Sequence, residues 1–276
     1  MKSKIFIVGV IVLLTNLVIL GVYYAIKWKP LLTPAVPLPI YPIDYHRDDT
    51  LKIIMIGDSW AMLQAETVAD SSMAVAFEKE TRKPVRFHSR GRGGAKSKEI
   101  YYSMFRDKCE EPAYSTQDLI EIGPDYCIVI AGINDANANM GSSYYCTNYL
   151  LIVRHLLTLG IRPVIIEIPD VYLHHVHAKK SVRYKLLDIY RAFLTGAPMH
   201  NIKTYRADWL DMLKDKRLID SIIYIKRNNW NPEGYENLML YRKDLFHLSD
   251  KGYYKLDSCI ISEIAKDYLS RLKVKL

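Results

Sequence analysis

Four short runs constrain what this chain can fold into: LKIIMI (residues 51–56), PVRFHS (84–89), DYCIVIAG (125–132) and RPVIIEIP (162–169). Each is rich in apolar and β-branched residues, too short for a core helix, and followed by a stretch with helical periodicity. The helix-like stretches are AMLQAETVADSSMAVAFEKE (61–80), AKSKEIYYSMFRD (95–107), YYCTNYLLIVRHLLTLG (144–160, closed by Gly160) and VRYKLLDIYRAFL (182–194). A shorter strand is expected near NIKTYRA (201–207), and SDKGYYKLDSCIISEIAKDYLSRL (249–272) reads as a closing helix. Strand and helix alternating in this way predict an α/β domain with a parallel sheet covered on both faces. Ligands of such sheets bind at the carboxyl ends of the strands.

Residues 5–26, IFIVGVIVLLTNLVILGVYYAI, carry no charge. As a helix they span the roughly 30 Å of a bilayer core. Tyr23, Tyr24 and Trp28 fall at the far end, where amphipathic aromatics favour the interface. The run is longer than the apolar part of a signal peptide and lacks a small-residue cleavage site, so the reading is an uncleaved anchor, with a signal peptide as the alternative. Lys2 and Lys4 precede it and Lys27 and Lys29 follow it, which favours an N-in orientation only slightly. Prolines at 30, 34, 37, 39 and 42 make residues 27–45 an extended linker. The folded domain is expected over residues 46–276.

The net charge of +8 is spread along the chain. With no clustered patch and no nucleic-acid-binding module, the reading is no nucleic-acid partner, and a mild attraction to anionic lipid or glycan. The four cysteines show no metal-ligand spacing. Cys127 and Cys259 fall at apolar positions, whereas Cys109 and Cys146 lie among polar residues and are candidates to pair in an oxidising compartment.

Chemistry concentrates at the strand ends. Gly57-Asp58-Ser59 follows the first strand, where Asp58 and Ser59 cap a helix or Ser59 is a nucleophile at the positive end of its dipole. A serine nucleophile needs a base, and the base an orienting carboxylate. RKDLFHLSDKGY (242–253) supplies Asp244 and His247, close enough to meet on one turn. SRGRGGAKS (89–97) and AGINDAN (131–137) follow the second and third strands, and offer a glycine N–H and the Asn134 amide to an oxyanion. Asp58 and Asp135 read as hydrogen-bonding scaffolds. Arg90 and Arg92 flank the glycine loop and are candidates to meet an anionic substrate. Trp60 beside the serine is a candidate substrate contact. So are His174 and His175 in YLHHVH (172–177), where no carboxylate or cysteine stands at ligand spacing, so no metal is expected. Tyr144, Tyr145 and Tyr172 are candidates to line a sugar-binding cleft.

Gly-Asp-Ser, a glycine-rich second block, Gly-x-Asn-Asp and Asp-x-x-His in this order resemble the SGNH (GDSL-like) hydrolases over residues 51–256. The resemblance implies a flavodoxin-like three-layer α/β/α sandwich. It implies Ser59 as nucleophile, His247 as general base and Asp244 as its orienting acid. The oxyanion hole would come from Ser59, Asn134 and one of the glycines, with Gly-x-x-Gly spacing putting Gly94 in that role after Gly91, and Gly93 as alternative. No cofactor is implied. The α/β-hydrolase elbow wants Gly-x-Ser-x-Gly, and Ala61 stands in its last place. The expected activity is hydrolysis of O-acyl, above all O-acetyl, esters on an envelope or extracellular glycan by a membrane-anchored serine esterase. Alternatives are a lysophospholipase or thioesterase, an O-acyltransferase, or a silent glycan-binding module.

Overall fold

The computed structural model describes residues 2–28, 49–196 and 198–273. Helix α1 (Lys2–Trp28) is followed by β1 (Leu51–Gly57), α2 (Ser59–Thr67), α3 (Asp70–Thr81), β2 (Val85–Gly91), α4 (Ser97–Ser103), α5 (Gln117–Glu121) and β3 (Tyr126–Ile130). Then come α6 (Ile133–Asn137), α7 (Ser142–Thr158), β4 (Arg162–Ile166), α8 (Leu173–Lys179), α9 (Val182–Thr195), α10 (Ile202–Asp215), β5 (Ile223–Ile225) and α11 (Asp250–Lys273). Most of the linker read over 27–45 lies outside the described residues.

The strands form one sheet in the order β2-β1-β3-β4-β5, every pair parallel. Helices α2, α3 and α11 pack together on one side, and α4, α7 and α10 together on the other, giving the expected three layers. Central β1 buries Ile53, Ile54, Met55 and Ile56 completely, as a strand covered on both faces must. Edge strand β2 alternates buried Val85 and Phe87 with exposed Arg86 and His88. Gly57 pairs in register with both Gly91 and Ile130. Three loops therefore leave the same edge of the sheet together: those after β1, β2 and β3, which carry three of the four motif blocks.

The structure departs from the sequence reading in three elements. The helix expected over 61–80 is two helices, α2 and α3, parted at Val68, whose backbone is extended. Asp70 then anchors α3 to the sheet, accepting from the Ser89 amide at 3.0 Å and its hydroxyl at 2.6 Å. The strand expected at 201–207 is instead the start of α10. Asn201 caps it through Thr204 N–H at 3.2 Å, and Tyr205, Trp209 and Leu213 bury one helical face. The fifth strand lies further on, at Ile223–Ile225, and is only three residues long. Cys146 is buried in α7, not in polar surroundings, and both it and Cys109 are free thiols, so the expected pairing is absent.

Helix α1 contains an 18-residue span, Phe6–Tyr23, long and apolar enough to cross a membrane, with its side chains exposed.

Candidate active site

Ser59 opens α2 directly after β1. Asp58 caps that helix, its Oδ1 accepting the Trp60 N–H at 2.9 Å. Asp58 is therefore the cap, and Ser59 is left at the first turn with its amide unused by the helix ladder. Across the chain, 188 positions away, His247 Nε2 stands 3.1 Å from Ser59 Oγ. Its Nδ1 lies 2.7 Å from Asp244 Oδ2. The other Asp244 oxygen accepts the amides of Phe246 and His247, both at 3.0 Å. Burial pushes the Asp244 carboxyl up, but those amides and the imidazole outweigh it and hold the acid below its usual value. Asp244 is thus an anion fixed by three donors.

The loop that carries this pair is tightly folded. Tyr241 and Leu248 form an antiparallel bridge, Arg242 N–H donates to His247 O at 2.8 Å, and Leu245 adopts a left-handed φ of 55°. That conformation costs a non-glycine residue roughly 1–2 kcal/mol. The loop is tied to the serine helix by Trp60, whose Nε1 donates to Phe246 O at 3.1 Å. The Trp60 indole is fully buried, edge-on to Trp230, Tyr241 and Tyr253 at 6.2–6.5 Å. Trp60 is therefore no substrate contact. It braces the two halves of the site, a role that spacing alone did not show.

The glycine loop and the third block are laced to the same edge. Arg92 N–H donates to Gly57 O and Asp58 N–H to Ile130 O, both at 3.1 Å. Asn134 Nδ2 donates to Ala95 O at 3.1 Å, which commits one of its two amide hydrogens. The three glycines separate cleanly. A Cβ on Gly91 would stand 2.2 Å from Met62 N and 2.5 Å from Asp58 O, so this glycine lets β2 approach α2. Gly94 has φ +75° with open space around it, and Gly93 would bring a Cβ only to within 3.8 Å of the Met62 side chain. Gly94 is the position whose backbone demands glycine for its dihedral and leaves room beside it.

Two buried acids sit behind the site. Asp135 accepts from Ser97 N–H at 2.9 Å and Ser97 Oγ at 2.7 Å, joining α6 to α4. Burial pushes it up to about 6 against those two donors. Asp58 Oδ2 is buried without a partner. Burial, opposed by the Trp60 amide and reinforced by Asp135, raises Asp58 to about 8.

Arg90 and Arg92 are engaged by protein acids. Arg90 pairs with Asp118 at 2.5 Å and also bonds Ser115 O, and Arg92 pairs with Glu111 at 2.5 Å. His174 and His175 belong to α8. His175 stacks on Tyr172 at 6.0 Å, and His174 meets His200 at 4.8 Å. Tyr172 N–H donates to Leu245 O at 3.1 Å, so this segment borders the His247 loop. Tyr172 is partly exposed there, whereas Tyr144 and Tyr145 are buried in α7 and line no open cleft. Sequence reasoning also missed Asp170, which takes Arg206 at 2.6 Å and Arg227 at 2.9 Å while its carbonyl accepts the Tyr241 hydroxyl. Its signal, a lone acid after a strand, is too common to single out.

Among solved structures, the psychrotrophic esterase EstA from Pseudoalteromonas sp. aligns with a TM-score of 0.51 at 14% identity, over 81% of this chain and 100% of that one. The chain has the SGNH hydrolase fold. A GDSL-like lipase from Bacteroides thetaiotaomicron aligns with a TM-score of 0.48 at 18% identity, over 78% of this chain and 88% of that one. No protein-family model matches the sequence, and no curated protein matches it significantly. Three of the four sequence blocks lie on the strand-end loops described above, and the fourth, Asp244–His247, lies in the loop ahead of α11.

Proposed function

We propose that the chain is a serine esterase that hydrolyses O-acyl esters through Ser59, His247 and Asp244. The observation that carries this reading is the continuous relay Ser59 Oγ–His247 Nε2–Asp244, with steps of 3.1 and 2.7 Å. His247 takes the Ser59 proton as the hydroxyl oxygen attacks the ester carbonyl, and returns it to the departing alcohol. Asp244 keeps the imidazole proton on Nδ1 and offsets the charge that develops on the ring. The N–H groups of Ser59 and Gly94 and the second amide hydrogen of Asn134 are the proposed oxyanion donors. Water then repeats the cycle on the acyl-enzyme. No step calls on a metal or cofactor.

The substrate is proposed to be a short acyl ester, with acetyl groups on an envelope glycan as the leading class. Helix α1 is proposed to anchor the chain with its amino terminus inside, placing the domain outside the cytoplasm. EstA, which shares the fold, is an esterase inhibited by monoethylphosphonate, and that supports the use of phosphonates here.

The test is hydrolysis of p-nitrophenyl esters of increasing chain length by the full chain in detergent, beside Ser59→Ala. Turnover of the acetyl ester that vanishes in Ser59→Ala supports the proposal. Preference for long chains would replace the glycan ester with a lipid ester. No turnover of any ester would overturn the activity.

A further inference from the structure

We infer that helix α9 is a membrane-docking helix, which lays its outer face on the anionic bilayer that α1 enters. The inference rests on the anchor reading of α1 and extends it to the folded domain. The observation behind it is an inversion. A surface helix ordinarily turns its apolar stripe to the core and its charges to water. In α9, Val182, Leu186, Ile189 and Phe193, spaced along a single face, are 73%, 62%, 53% and 82% exposed. Leu194, beside Phe193 at the end of the helix, is exposed as well.

The polar side faces in. Asp188 is buried, held by Lys180 at 2.6 Å and His177 at 3.0 Å, and Arg191 reaches the Ala138 carbonyl at 3.1 Å. The helix is fixed to the domain by its charges and leaves its hydrophobic stripe unused. Contiguous apolar surface of this kind marks an interaction site.

Two further observations choose a bilayer as the occupant. The first is the charge around the stripe. Residues 173–195 hold a single acid, Asp188, and it is buried, whereas Lys179 and Arg183 are exposed. An apolar face whose own segment exposes cations and no acid suits the headgroup region of anionic lipid. The second is position. A Cβ built on Gly21 would lie 2.7 Å from the Tyr190 hydroxyl. Gly21, near the end of the apolar span in α1, therefore lies against Tyr190 of α9, close to the level where that span would leave the hydrocarbon. Because Tyr172, just ahead of α8, bonds the His247 loop, docking would also hold the catalytic edge near the membrane surface.

The test uses the full chain with Cys109→Ser and Cys259→Ser, reconstituted in vesicles of phosphatidylcholine with or without phosphatidylglycerol. Nitroxide labels are placed singly at Phe193→Cys, at Val12→Cys in α1, and at Lys214→Cys as a water-exposed reference. Collision with oxygen, which partitions into lipid, is compared with collision with a water-soluble nickel chelate. Phe193 is expected to show a severalfold higher oxygen-to-nickel ratio than Lys214, and a larger one with anionic lipid. A Phe193 label as open to nickel as Lys214 would overturn the docking while a lipid-embedded Val12 label left the anchor standing. A Phe193 label shielded from both reagents would mean a protein occupant, and would overturn it too. A Phe193 ratio indifferent to lipid charge would remove the anionic preference. A Val12 label in water with Phe193 in lipid would remove the anchor and leave the docking helix.

Discussion

Replacing Asp244 with asparagine tests the geometry more sharply than deleting it. Asp244 Oδ1 accepts two backbone amides at 3.0 Å. An asparagine in the same frame must keep its carbonyl oxygen there, because only an acceptor satisfies those donors. Its NH2 then faces His247 Nδ1, where the carboxylate oxygen stood at 2.7 Å. A donor there forces the imidazole to carry its lone pair on Nδ1 and its proton on Nε2, aimed at the Ser59 hydroxyl. A ring protonated on that side cannot take the serine proton. The equivalent substitution in a Ser-His-Asp protease lowers kcat by about 10⁴, or about 5.5 kcal/mol at 1.36 kcal/mol per decade. Asp244→Ala leaves a different situation. The Asp244 side chain is 44% exposed, so water can reach Nδ1 and either tautomer survives. Asp244→Asn should therefore be the more damaged enzyme. The assay is kcat on p-nitrophenyl acetate for both variants, with melting temperatures to confirm folding. A loss below tenfold in Asp244→Asn, or an alanine variant worse than the asparagine one, would refute the tautomer argument.

Other expectations follow from single contacts. Asn134→Ala should lower kcat by about 10²–10³ with little change in KM, as expected for one oxyanion donor, measured on the same ester. Asp58 is raised in the folded chain from 3.8 to about 8. Between those values the native state holds a proton that the unfolded chain has lost, so this group makes stability fall as pH rises from about 4 to about 8. Asp58→Asn keeps the acceptor for the Trp60 amide and should flatten that fall, raising the melting temperature at neutral pH, as thermal melts across pH would show. Gly91→Ala drives a Cβ into backbone atoms of α2 and should cost about 1–3 kcal/mol, whereas Gly93→Ala should melt like the parent.

The parts legible in sequence are those where local pattern and tertiary role coincide. LKIIMI is buried on both faces and looks it, and the first three motif blocks each follow a strand, so their gathering at one edge follows from parallel topology. The Asp244–His247 loop ahead of α11 reaches that edge only through its own contacts. Residues whose role depends on a distant partner were misread. Trp60 sits beside a nucleophile candidate, and only its bond to Phe246 O, 186 positions away, shows it to be a brace. The start of α10 looks strand-like because its short apolar alternation says less than the buried face completed by Trp209 and Leu213. Strand β5 has three residues and too little pattern to register. Arg90 and Arg92 look available until Asp118 and Glu111 fold back on them. The outward stripe of α9 has an ordinary amphipathic sequence, and only the buried ion pair of Asp188 reveals which face points in.

The central claim is that one hydroxyl, Ser59, is made nucleophilic by His247. Incubating the full chain with a fluorophosphonate and locating the adduct by mass spectrometry tests it directly. The account predicts a single stoichiometric adduct on Ser59, formed far more slowly in His247→Ala. An unlabelled Ser59 in a folded chain, or labelling unaffected by loss of His247, would contradict it.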